Sequence, residues 1–239
     1  GPLVPQGEGE MTERKWIFVL RARGEDHASF AERMRGELAE RVLAMGPVAL
    51  KLTVTEALPP KVSMFPFRRQ PVALFSIWDS EDRLAEYIQF MKSSAPKVSG
   101  YEVEESTPVP YAKTWADGEV TPVPILLTLL HKKPGLSDAE YMNRCHCVHT
   151  ALSLEVHPLC YYVRNVINGP VTDQAEDCDC IVEEACPSRS VMLNPLSFYG
   201  GPLRMLPNLV RVAKDLLGFL DMKKLEVFYA TEYQLRTAQ

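Results

Sequence analysis

His149 is the residue with the most scope for chemistry at neutral pH in this 239-residue chain. A neutral imidazole, with a pKa of about 6.5, can take a proton and return it, which is general acid/base work. The plain alternative is a histidine that hydrogen-bonds a backbone carbonyl. Tyr162 could donate a hydrogen bond to a developing enolate or phenolate oxygen, or be a core aromatic whose hydroxyl is satisfied. Arg144 could bind a carboxylate or enolate, or stand on an exposed helix face. Tyr141, Asn165 and Asp221 complete a candidate substrate-binding set with Arg144. Asp221 and Asp179 could equally orient a histidine or cap an element.

The cysteines raise a separate question. All six, Cys145, Cys147, Cys160, Cys178, Cys180 and Cys186, lie in the second half of the chain. Cys145 and His149 stand at i, i+4 and share a helix side. Cys178 and Cys180 stand at i, i+2 and share a strand face. Together they could offer four tetrahedral zinc ligands, but their spacing is not that of a zinc motif. Buried cysteines commonly serve as small apolar residues, so the reading is no metal, with a nucleophilic Cys145 or Cys147 as a lesser option. No Gly-rich phosphate loop, G-x-S-x-G elbow or nucleotide fingerprint occurs, and no cofactor is expected.

These residues need a frame. Pro124 to His131 predicts a strand, and Pro134-Gly135 turns the chain. Ser137-x-x-Glu140 is a capping-box pattern opening a helix with the stripe Tyr141, Cys145, Val148, Leu152; His149 sits at its margin. Strands follow at 159–168 and 178–185. Next comes a loop over 187–202, then a helix whose apolar side is read as Leu206, Leu209, Val210, Ala213, Leu216, Leu217 and Leu220. A last alternating strand covers 225–235. The first half gives a strand at 16–22 and a helix at 28–45. A half-buried strand follows, with Leu50, Leu52 and Val54 on one face and Lys51, Thr53 and Thr55 on a polar one. A proline-rich excursion covers 56–71; then come a strand at 72–78, a helix carrying Leu84, Tyr87, Ile88 and Met91, and a strand at 98–105. The order β-α-β-β-α-β thus recurs at a spacing of about 110 residues. It predicts an α+β chain of two tandem ferredoxin-like units whose sheets cover each other. The boundaries are a tag remnant or loose tail at 1–10, a first unit at 11–113, a linker at 114–122 and a second unit at 123–239.

Net charge is −5, so a nucleic-acid partner is not expected. No apolar run reaches the roughly 18 residues of a membrane span, no signal-peptide pattern opens the chain, and a cytoplasmic protein with reduced thiols is expected.

Along residues 123–235 the second half resembles the EthD family of the dimeric α+β barrel superfamily. The resemblance is carried by Lys133-Pro134-Gly135-Leu136-Ser137, Glu140-Tyr141, His149, Leu159 with Tyr162-Val163-Arg164-Asn165, Asp179 with Ile181 and Glu183, and Leu220-Asp221. The first half shares only the order of elements. The resemblance implies that the two units build one barrel as a pseudo-dimer, and that a small aromatic or polycyclic compound is processed within it. Members often carry histidines where this chain has Arg144 and Val166, which narrows the acid/base assignment to His149. The expectation is therefore a cofactor-independent lyase, isomerase or cyclase acting on a small apolar metabolite, with His149 as acid/base and Tyr162 as polar anchor. The alternatives are a non-catalytic binding protein for a hydrophobic intermediate and a cofactor-free monooxygenase. A homodimer of tandem-barrel chains is left open.

Overall fold

The computed structural model describes residues 13–238, so the expected tail at 1–10 lies outside the described residues. The first half runs β1 (Glu13–Arg21), α1 (27–44), β2 (Ala49–Val54), β3 (Val72–Ser80), α2 (Leu84–Ser94) and β4 (Val98–Val109). The second runs β5 (Ile125–Leu130), α3 (138–156), β6 (Tyr161–Pro170), β7 (Cys180–Ala185), short helices α4 (Arg189–Leu193) and α5 (Pro195–Phe198), then α6 (Met205–Phe219) and β8 (Glu226–Arg236). The order β-α-β-β-α-β therefore occurs twice, with α4 and α5 occupying the stretch expected to be a loop.

All eight strands join one closed antiparallel barrel in the order β1-β3-β2-β8-β5-β7-β6-β4. The two halves do not cover each other as separate layers. β2 pairs with β8, and β4 with β6, so the edge strands of each half hydrogen-bond those of the other. Closure leaves no strand edge with unpaired backbone groups. The segment between β4 and β5 is tied down as well: Gly118 and Thr121 donate backbone hydrogen bonds to Gln234 and Glu232 of β8.

Strand alternation then sends side chains to two different cores. Ile17, Leu74, Val103, Leu127, Val163, Ile181 and Phe228 fill the barrel interior. Trp16, Phe18, Leu52 and Phe75 point outward and pack under α1 and α2. In the second half, Leu126, Leu130, Tyr162, Cys180, Val182 and Val227 point outward toward α3 and α6.

Two expectations about faces are corrected. The polar face of β2 does not meet solvent: Lys51 and Thr53 are buried inside the barrel. There Lys51 Nζ meets Glu183 Oε2 at 2.6 Å and Glu232 Oε2 at 3.4 Å, and Thr53 donates to Glu183 Oε1 at 2.5 Å. Burial works against the Lys51 charge, but Glu183, Tyr161 and Glu232 outweigh it and hold its pKa above the ordinary range. Lys15, beside Glu105 and Asn165, is pushed down to about 8 by burial and by the Lys51 charge. The apolar side of α6 is also rotated from the expected one. Val212 and Phe219 are buried, whereas Leu206, Val210 and Leu217 are exposed. The helix is amphipathic by spacing, but the side carrying Asn208 and Asp215 is the one turned inward: Asn208 is buried, Asp215 meets His149, and Phe219 packs against Tyr141 and His149.

Candidate active site

The site begins at the Pro134-Gly135 turn. Gly135 has φ +84°, a left-handed conformation open to glycine at little cost. Ser137 then caps α3, its Oγ accepting the Glu140 amide at 3.2 Å. The return arm of the capping box is not made among the described residues; the Glu140 carboxylate instead lies 3.5 Å from Arg144. Arg144–His149 forms a π-helical turn in the middle of α3. Such bulges shift the register of a helix locally and recur at functional sites.

That turn presents His149 between the sheet and α6. Its Nδ1 lies 2.7 Å from Asp215 Oδ2 of α6, and both side chains are largely buried. The carboxylate accepts a hydrogen bond from Nδ1–H, which puts the lone pair on Nε2, the form suited to a base. Nε2 faces Ser153 Oγ at 3.3 Å, one helical turn on.

His149 and Ser153 border a cavity of about 210 Å³ between the outer face of the second-half sheet and α3 and α6. A cavity of about 150 Å³ in a protein core admits benzene, so this one is sized for a small ring system. Its walls are mostly apolar: Leu126, Leu130, Val182, Val212, Leu216 and Leu220 among them. Met64, Phe65 and Pro66 from the excursion, and Phe198 and Tyr199 from α5, complete the wall. His157 also lines it; burial pushes its pKa down to about 4, and its Nδ1 is 3.0 Å from the Phe198 carbonyl, so it is neutral at pH 7.

Glu184 of β7 projects into the same cavity. Burial raises its pKa to about 7, only partly opposed by His149. Sequence reading missed this residue. Glu183 and Glu184 are adjacent on a strand and must face opposite sides; the first enters the barrel and the second the pocket. The available signal was a glutamate sharing the Val182 face. Asp215 was missed for a similar reason, as a lone acid on a helix whose facing was misjudged.

Tyr162 is buried in the cavity wall. Its hydroxyl is 3.4 Å from Thr150 Oγ1, which donates to the Cys145 carbonyl at 2.9 Å and accepts from Arg164 Nη1 at 2.5 Å. With the Thr150 proton committed, Tyr162 is the donor of the pair. Burial pushes its pKa up, so it stays neutral. Cys145 also borders the cavity. A hydrogen bond from the Cys180 thiol lowers its pKa, with Arg164 and His149 adding to that against the effect of burial.

The other residues named from sequence do not line the cavity. Arg144 stands in an outer groove with Cys147. Tyr141 is buried against Phe219. Asn165 alternates into the barrel, where its Oδ1 accepts from Lys15 at 2.6 Å. Asp221 caps the following turn, accepting the Lys223 amide at 3.1 Å. Among the described residues, no group of three or more His, Cys, Asp and Glu is placed to hold a metal, and no helix is long and apolar enough to cross a membrane.

No protein-family model matches the chain, and no curated protein is similar to it. Solved structures do share its architecture. An anthrone oxidase-like protein superposes with a TM-score of 0.56 at 10% identity, covering 97% of this chain and 96% of that one. A chlorite dismutase-like protein gives 0.43 at 13% identity, covering 95% and 96%. The closed eight-stranded barrel, with its helices outside, together with the first of these neighbours gives the chain the fold of the dimeric α+β barrel proteins.

Proposed function

We propose that the cavity bordered by His149 and Glu184 is an active site that moves protons on a small apolar aromatic or fused-ring compound. One observation carries this reading. Two proton-transfer groups of complementary kind open into one mostly apolar space: an imidazole oriented by Asp215, and a carboxyl whose pKa burial raises to about 7. An apolar pocket with a few convergent polar groups is the usual form of a small-molecule site, and separated acid and base environments assign the roles. His149 Nε2 takes a proton from a C–H made acidic by a neighbouring carbonyl. Neutral Glu184 supplies a proton to another atom of the substrate. The Tyr162 oxygen accepts a hydrogen bond from a substrate hydroxyl. This is isomerase, lyase or cyclase chemistry that needs only the chain's own groups, and the EthD resemblance of the second half supports it. We read the twice-repeated element order as a tandem of ferredoxin-like units, of which the second carries the site and the first contributes Met64, Phe65 and Pro66.

The anthrone oxidase-like neighbour favours a second outcome of the same first step. A fused-ring carbanion can react with O2, which converts a ring CH2 to a carbonyl and releases one water. Native mass spectrometry against a panel of fused-ring ketones and phenols, anthrone included, with oxygen uptake recorded in parallel, tests both. Retained ligand with chemical change and no uptake supports proton-transfer chemistry; uptake abolished by His149→Ala supports the oxidative outcome. Ligand retained unchanged makes the chain a binding protein, and full turnover by His149→Ala removes the acid/base assignment.

A further inference from the structure

Among the described residues, the buried or partly buried Lys15, Lys51 and Arg21 are matched by acids, and Arg164 is not. Lys15 has Glu105, Lys51 has Glu183, and Arg21 has Glu176 and Glu226. Arg164 of β6 is 6% exposed, and among the described residues it makes no ion pair. Its Nη1 donates to Thr150, a neutral hydroxyl, and its Nε is buried with no acceptor. Two more buried polar atoms without partners belong to the same region. One is Nε2 of His146, on the π-helical turn of α3; the other is Oγ of Ser106, whose residue pairs with Arg164 across the β4–β6 ladder. Burial and then the Arg164 charge hold His146 below the ordinary histidine range, which places the two side chains within each other's field. The Glu104 carboxylate acts on His146 from the exposed side and does not pair with Arg164.

We propose that Arg164, His146 and Ser106 bind a small monovalent anion of chloride size in the seam between β4, β6 and the π-helical turn of α3. The three groups offer a guanidinium N–H, an imidazole N–H in the Nε2 tautomer and a hydroxyl, so the donor set suits an acceptor. A water molecule would satisfy the hydrogen bonds and leave the charge. An uncompensated buried cation is strongly unfavourable, and an anion removes that penalty. Because the three atoms are buried, the seam favours a halide over sulfate or phosphate. The site stands whether or not the adjacent cavity is catalytic. It reaches that cavity through the Arg164–Thr150–Tyr162 chain, so occupancy sets the charge behind the Tyr162 wall.

The test uses the purified full chain, exchanged into a gluconate buffer and titrated with sodium chloride or bromide at constant ionic strength. The expected result is a saturable rise in Tm with halide and no rise with gluconate. Crystals soaked in bromide should show anomalous density within hydrogen-bond reach of Arg164 Nε. Arg164→Gln should abolish the response. Where that variant does not fold, Ser106→Ala and His146→Phe each remove one donor and should weaken apparent halide binding about fivefold, the equivalent of one hydrogen bond. A Tm that responds equally to both anions, no saturable response, or unchanged halide binding in both single-donor variants would overturn the proposal.

Discussion

At the scale of single residues, the decisive features are two acids that flank one histidine. Glu184 couples the site to stability with a definite sign. Its folded pKa of about 7 lies above the unfolded value of about 4.3. The folded state therefore binds more protons between these values, and stability falls as pH rises through that window. The full effect is up to about 4 kcal/mol. Urea denaturation should show the wild type losing stability between about pH 4 and about pH 7, with most of that slope removed in Glu184→Gln. A slope unchanged in the variant would assign it to other groups. With neutral Glu184 as the proposed proton donor, turnover should also decline as pH rises through about 7. Asp215→Asn should keep the fold while misdirecting the imidazole proton, lowering turnover about 100-fold or more; thermal melting beside kinetics separates the two effects. His149 itself was legible in the sequence, because a capped helix with a clear stripe fixes which residues sit at its margin. Its partners were not. Asp215 comes from a helix 66 residues away, and nothing local declares which of its sides meets α3.

At the scale of elements, α3 is the part that positions the chemistry. Its start is set by the Gly135 turn and the Ser137 cap, and its middle is a π-helical turn that the stripe Tyr141, Cys145, Val148, Leu152 does not reveal. Regular α-helical spacing would bury Val148, which is in fact exposed. The register change follows Cys145: the next buried position is Thr150, five residues on. Removing the cap with Ser137→Ala should cost about 1 kcal/mol, measured by denaturation. Glu140→Ala, which removes any return bond to the Ser137 amide, should cost only about a few tenths of a kcal/mol, because the glutamate makes only an exposed i, i+4 pair. Equal losses in the two variants would show that the full capping box forms after all. α6 teaches the opposite lesson. Its apolar stripe named a helix correctly and its buried side wrongly, because much of that stripe is exposed; Phe219 and Asp215 decide the facing through contacts to α3.

At the scale of the whole molecule, the barrel and the pocket are separate spaces. The repeated order of elements made the strands and helices readable. The edge pairings β2–β8 and β4–β6 were not readable, since register across them depends on residues far apart in the chain. Closure explains why Lys51, Thr53 and Glu183, polar residues on strands, are buried: they neutralise one another inside the barrel. Lys51→Met should therefore destabilise the fold by about 3–5 kcal/mol, because it leaves Glu183 and Glu232 buried without their cation. Restoring part of that loss by adding Glu183→Gln would confirm the pairing, and additive losses would contradict it. The interior occupied by these groups also explains why the candidate chemistry lies outside the barrel, between the second-half sheet and its helices. The most direct measurement of that claim is deuterium incorporation at the acidic C–H of a fused-ring ketone in D2O, followed by NMR with wild type, His149→Gln and Glu184→Gln. The structure predicts enzyme-dependent exchange that falls about 100-fold or more in His149→Gln, with Glu184→Gln retaining first-step exchange but not forming product. Exchange at the uncatalysed rate with wild type, or undiminished exchange in His149→Gln, would contradict it.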